Sequence, residues 1–142
     1  MESRTPSIID LSAELAKLTM FRGRTPQSTM ADRKGSGARL ASYRDGVLFA
    51  TKFAGKGHWE SHIPGDELIH IVDGTATVEI LGADGPPQAF ELRAGMIAVI
   101  PQRTWHRFHA PGGVTLMTAT PSPSEVIELD VDDPRTVERK PA

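Results

Sequence analysis

Residues 57–74 read GHWESHIPGDELIHIVDG, and residues 95–106 read GMIAVIPQRTWH. The first stretch sets five titratable side chains, His58, Glu60, His62, Asp66 and Glu67, within ten residues. Gly57, Pro64 and Gly65 forbid a helix here, so strand geometry has to sort these groups. Alternate residues of a strand share a face. Glu60 and His62 therefore point the same way with backbones about 7 Å apart, a span that one ion bridges. Glu67 opens the next strand and reaches the same point. The second stretch delivers His106 just after a turn, and an all-β barrel can bring it opposite the first pair. His58, four positions from His62, lies about 13 Å away along a strand, too far to share an ion with bonds near 2.1 Å, and reads as a rim residue. A zinc-protease helix would need Glu directly after the first His, which is not the order here. His70 and His109 fall on the faces opposite Glu67 and His106.

Outward from this centre, 13 glycines and 11 prolines cut the chain into short pieces. That punctuation predicts strands over Leu40–Arg44, Val47–Phe53, Glu67–Val72, Ala76–Leu81, Ala89–Leu92, Met96–Ile100, Trp105–His109 and Val114–Ala119, with Asp45-Gly46 as a hairpin turn. Strands at such regular intervals indicate a sandwich or barrel. One helix is predicted, from about Ile8 to Met20, because Ile8, Leu11, Leu15 and Leu18 recur at helical spacing behind Ser7 with Asp10 three residues on. Phe21–Gly37 reads as a connector with few contacts in a monomer, crossing the surface or embracing a partner chain. The proline-rich tail offers one further edge strand, Val126–Leu129, and disorder is expected beyond Asp132. The divisions are 1–37 for helix and connector, 38–120 for the barrel, and 121–142 for the tail.

The two quoted stretches resemble the motifs of the cupin superfamily. The first cupin motif is an H-x-H pair, Glu three or four residues later, then Gly after six more. Glu60-Ser61-His62 fills the pair, four residues lead to Glu67, and six more lead to Gly74. The second motif, G-x5-P-x-G-x2-H-x3-N, matches at Gly95, Pro101 and His106. The resemblance covers Gly46 to Thr120 and implies an all-β jelly-roll barrel, a double-stranded β-helix, preceded by the short helix. It also implies metal ligands at Glu60, His62, Glu67 and His106, two imidazoles and two carboxylates in place of three and one. Such a set suits a divalent transition metal, Fe, Mn or Zn. Four inward titratable groups without an ion would need other partners, since unpaired buried charge is costly. The competing reading is a cupin that keeps the fold without the metal. Arg103 stands where the motif has Gly, and Ala110 where it has Asn. Arg103 is a candidate for meeting a substrate carboxylate through its bidentate fork, and Phe108, on the face of His106, for the pocket wall. Trp59 and Trp105 read as packing.

Composition sets the outer limits. The chain has 142 residues, 39% hydrophobic and 24% charged, which suits one soluble domain. A formal charge of −2 gives no field for holding nucleic acid. The absence of cysteine excludes disulfides, thiolate nucleophiles and Cys-ligated zinc. No apolar run is long enough to span a membrane, and MESRTPSIID lacks the pattern of a secretory leader, so the cytoplasm is the expected compartment. No G-x-S-x-G elbow supports a hydrolase triad, and Gly35-Ser36-Gly37 lacks the spacing of a phosphate loop. Two function classes follow: a metal-dependent oxygenase or isomerase acting on a small organic molecule, or a noncatalytic small-molecule-binding or regulatory domain. The resemblance also implies a homodimer.

Overall fold

The structure, a computed structural model, describes residues 5–137. In chain order it contains α1 (Leu11–Ala16), β1 (Phe21–Arg24), β2 (Gly37–Tyr43), β3 (Gly46–Lys56), β4 (Trp59–His62), β5 (Glu67–Ile80), β6 (Gln88–Arg93), β7 (Ile97–Ile100), β8 (His106–Pro121) and β9 (Ser124–Ile127), ending in a 3-10 turn at Pro134–Thr136. The long strand β8 organises the rest. It pairs antiparallel with β3 through Val47↔Thr120 to Lys56↔His109, and with β5 through Leu68↔Ala119 to Ile80↔His106. β4 joins it at Glu60↔His106, and β6 and β7 pair with β5. These antiparallel pairings close the jelly-roll barrel. No helix among the described residues is long and apolar enough to cross a membrane.

Alternation along β5 shows how the interior is filled. Glu67, Ile69 and Ile71 are buried on one face, and Leu68 and His70 on the other are half-buried. The inward row continues with Ala76 and Val78 and meets Phe53, Leu92, Ile100, Ala110, Val114 and Leu116 in one apolar cluster. Glu67 therefore stands at the end of an apolar row, where a carboxylate without partners would be costly.

Both flanks of the barrel depart from the sequence expectations. The helix is six residues long, not thirteen or so. Asp10, rather than Ser7, is its cap, accepting from the Ala13 N–H, and Ile8 is exposed. The chain leaves the helical path early because the Thr19 N–H donates to the Gly35 carbonyl at 2.9 Å. The Phe21–Gly37 connector is not free of contacts: β1 lies parallel to β3, pairing Phe21 with Phe53 and Arg24 with Gly55. Gly55 makes this possible. Its φ of 122° suits only glycine, and a Cβ there would sit 2.3 Å from the Arg24 carbonyl oxygen. The predicted edge strand lies two residues earlier, as β9 on β4. Past Asp132 the chain is still tied down: Pro134 is buried, and Arg135 Nη2 donates to the Gly85 carbonyl at 2.6 Å. Residues 138–142 of the segment expected to be disordered lie outside the described residues.

Candidate metal centre

Three strands supply four inward side chains at one end of the barrel. Glu60 and His62 share a face of β4, Glu67 begins β5, and His106 begins β8. One donor atom from each, Glu60, His62, Glu67 and His106, lies within 4.8 Å of every other. His106 Nε2 is 2.9 Å from Glu67 Oε1 and 3.4 Å from Glu60 Oε1, while His62 Nε2 is 3.2 Å from Glu67 Oε2 and 3.5 Å from Glu60 Oε1. Donors bonded to one ion at about 2.1 Å stand about 3.0–3.4 Å apart in octahedral or tetrahedral order, so these spacings fit a transition metal. His62 Nε2 is buried beside both carboxylates yet makes no well-aligned hydrogen bond to either, a position that a ligand bond would satisfy.

The outer ring nitrogens are already committed. His106 Nδ1 faces the Thr104 carbonyl at 2.9 Å, which requires the proton on Nδ1 and leaves Nε2 of the neutral ring free to ligate. His62 Nδ1 is 2.7 Å from Ser124 Oγ on β9. Thr120 donates to Glu67 Oε2 at 2.6 Å and is itself linked to Thr118 at 2.7 Å. His58, at the rim, sits with Nε2 3.3 Å from Glu60 Oε2. On the outer face of β8, next in sequence to His106, Arg107 is clamped by Glu79 and Asp130 at 3.0 Å each and stacks 4.7 Å over Trp59, whose indole N–H donates to the Val131 carbonyl. Trp59 thus packs outside the centre.

Without an ion the four groups hold one another's charge. Burial pushes Glu60 upward, but hydrogen bonds from His106, His58 and His62 outweigh it and hold the carboxyl well below its ordinary 4.5. Glu67 is lowered against burial by His106 and His62. Burial works against the imidazolium forms, yet the two carboxylates raise His62 to about 9 and His106 to about 10. Two cations facing two anions make a neutral cluster.

The centre opens into a cavity of about 700 Å³. Glu60, Glu67 and His58 face its floor, Phe49, Phe53, Phe108 and Leu116 give it apolar sides, and Arg24, Arg33 and Lys34 complete the wall. Phe108, whose ring meets His106 edge-on at 6.4 Å, lines the cavity. Arg103 is exposed and is not among the lining residues. It holds a positive φ, 60°, and its N–H donates to the His62 carbonyl at 2.9 Å. Sequence reasoning missed Ser124, Thr120, Arg24 and Arg33. The hydroxyls carry no motif, and the arginines lie in the segment read as a connector; only the Gly55/Gly57 pair hinted that another strand passes close by.

Residues 51–119 match the family described as Cupin domain. Among solved structures, the chain is similar to a cupin-2 domain containing protein from Shewanella frigidimarina NCIMB 400, at 21% identity and a TM-score of 0.56 over 84% of this chain and 95% of that one. It is also similar to protein NMB1881 from Neisseria meningitidis, at 22% identity and a TM-score of 0.59 over 82% of this chain and all of the other. Hydroquinone 1,2-dioxygenase PnpCD, solved with Cd2+ and 4-hydroxybenzonitrile, shares the fold at 19% identity and a TM-score of 0.52 over 60% of this chain and 63% of that one. No curated protein matches the chain by sequence.

Proposed function

This chain being a small cupin, we propose that Glu60, His62, Glu67 and His106 hold a divalent transition metal, Fe, Mn or Zn, and that the adjoining cavity takes a small organic molecule for oxygenase- or isomerase-type chemistry. The observation that carries the reading is the convergence of four donors within 4.8 Å of one another, with His62 Nε2 set between the two carboxylates at 3.5 and 3.2 Å and its Nδ1 already engaged by Ser124. Mixed imidazole and carboxylate donors suit these metals. A bound ion supplies Lewis acidity toward a substrate oxygen and open positions for oxygen chemistry.

The protein's own groups have separable tasks. Thr104 and Ser124 fix the ring orientations, and Thr120 holds one oxygen of Glu67. Phe108 and Leu116 keep the floor dry and shape the approach to Glu60. His58 can hold or pass a proton at Glu60 Oε2, the carboxylate oxygen nearest it. Elemental analysis of purified protein tests the proposal, with retention of a first-row transition metal expected. His62→Ala with His106→Ala should abolish it, and equal metal content in wild type and double variant would overturn the reading. A second reading, a noncatalytic domain holding an effector in the same cavity, is favoured by the self-neutralised cluster, which is satisfied without an ion. Oxygen-uptake and isomerisation screens of the loaded protein separate the two.

A further inference from the structure

Arg24, Arg33 and Lys34 also line the cavity, and none of them makes an ion pair among the described residues. Arg24, at the end of β1, lays its guanidinium 4.5 Å over the buried Phe53 ring. Its position beside Gly57 is close: a Cβ there would lie 3.6 Å from the guanidinium carbon. Arg24 makes no ion pair among the described residues. Burial and the facing Arg33 push it down to about 10, and Glu60 only partly offsets them. Arg33 contributes a buried Nε with no hydrogen-bond partner, its Nη2 meeting only the Met30 sulfur at 3.3 Å. Two half-buried guanidiniums lining one cavity, neither in an ion pair among the described residues, are unfavourable unless something else supplies the anion.

Phe49, Phe53 and Leu116 line the same cavity and give it apolar sides. We propose that Arg24 and Arg33 form an anion clamp, so that the ligand is an organic acid: a carboxylate gripped by the two guanidiniums, an apolar body along the aromatic sides, and its far end at Glu60 and Glu67. A guanidinium fork matches a carboxylate in two parallel hydrogen bonds, and charge-assisted bonds in a dry wall discriminate strongly against a neutral isostere. The clamp rests on the reading of this cavity as the ligand site, but not on the metal.

Calorimetric titration with benzoate, phenylacetate and hexanoate, each beside its primary amide, tests it. At least one acid should bind about ten- to a hundredfold tighter than its amide. Arg24→Gln and Arg33→Gln should each remove most of that preference, lowering acid affinity far more than amide affinity, with Arg24→Lys keeping part of it. Arg103→Gln, outside the cavity, should change nothing. The proposal is overturned if no acid outbinds its amide, or if the preference survives both glutamine variants. Repeating the titration after chelation keeps this result apart from the metal reading. A preference that persists in metal-free protein supports the clamp whether or not metal is retained. A preference that vanishes with the metal places the carboxylate on the ion and overturns the clamp alone.

Discussion

Arg103 holds a left-handed backbone, φ 60°, at the position where the cupin motif has glycine. An L-residue there costs about 1 kcal/mol, and the greater freedom of glycine in the unfolded chain offsets part of what a substitution recovers. Arg103→Gly should therefore raise stability by roughly 0.5 kcal/mol, read as a higher denaturant midpoint, with metal content unchanged. A lower midpoint would show that the side chain holds the turn. The four groups of the centre set a pH dependence of their own. His62 and His106 titrate above their ordinary 6.5, so in metal-free protein their contribution is complete below about 6.5 and is lost as pH rises through about 9 to 10. Glu60 and Glu67 titrate below 4.5, so theirs is present above about 4.5 and is lost as pH falls through their depressed values. The melting temperature of metal-free protein should peak between about 4.5 and 6.5, whereas loaded protein, its imidazoles neutral, should hold its melting temperature on the alkaline side. Thermal scans across pH with and without chelator check this, and an unchanged alkaline limb on loading would contradict it.

β9 carries Ser124, whose Oγ lies 2.7 Å from His62 Nδ1. Ser124→Ala should weaken metal affinity about ten- to a hundredfold with little change in folding, measured by competition against a chelating dye. Undiminished affinity would show that β4 alone orients the ring. The same scale shows what the sequence could reveal. Strands β3 and β7 were legible because turn residues bound them. In the sequence β5 and β8 each read as two strands, Glu67–Val72 with Ala76–Leu81 and Trp105–His109 with Val114–Ala119, because Gly74 and Pro111 to Gly113 read as breaks where the chain stays extended with shifted register. Alternation still placed Glu60, His62, Glu67 and His106 on inward faces. β1 was not legible and β9 was displaced by two residues, since four residues carry too short a period and their pairing is decided by what lies beside them. The helix was overread for a related reason. A leucine repeat says nothing of a tertiary hydrogen bond, Thr19 to Gly35, that pulls the chain straight.

On the scale of the whole molecule, the argument for a homodimer changes its footing. The connector rests on its own barrel, so it no longer calls for a partner. Ile97 and Val99, exposed by 63% and 57% on the outer face of β7, do. They lie beside His70 and Leu68 of β5 in register. Light scattering at micromolar concentration is expected to give a dimer and Ile97→Lys with Val99→Lys a monomer of unchanged fold. A wild-type monomer would refute the dimer.

The parallel strand β1 and the loop behind it bring one wall of the cavity from a part of the chain that contributes none of the four donor residues. On the proposed function, recognition and reactivity would be written in separate stretches of sequence. Variation confined to residues 21–37 can retune what the barrel accepts without disturbing the centre, and a grafted segment from another small barrel can transfer preference as a unit, provided Gly55 stays to let it dock.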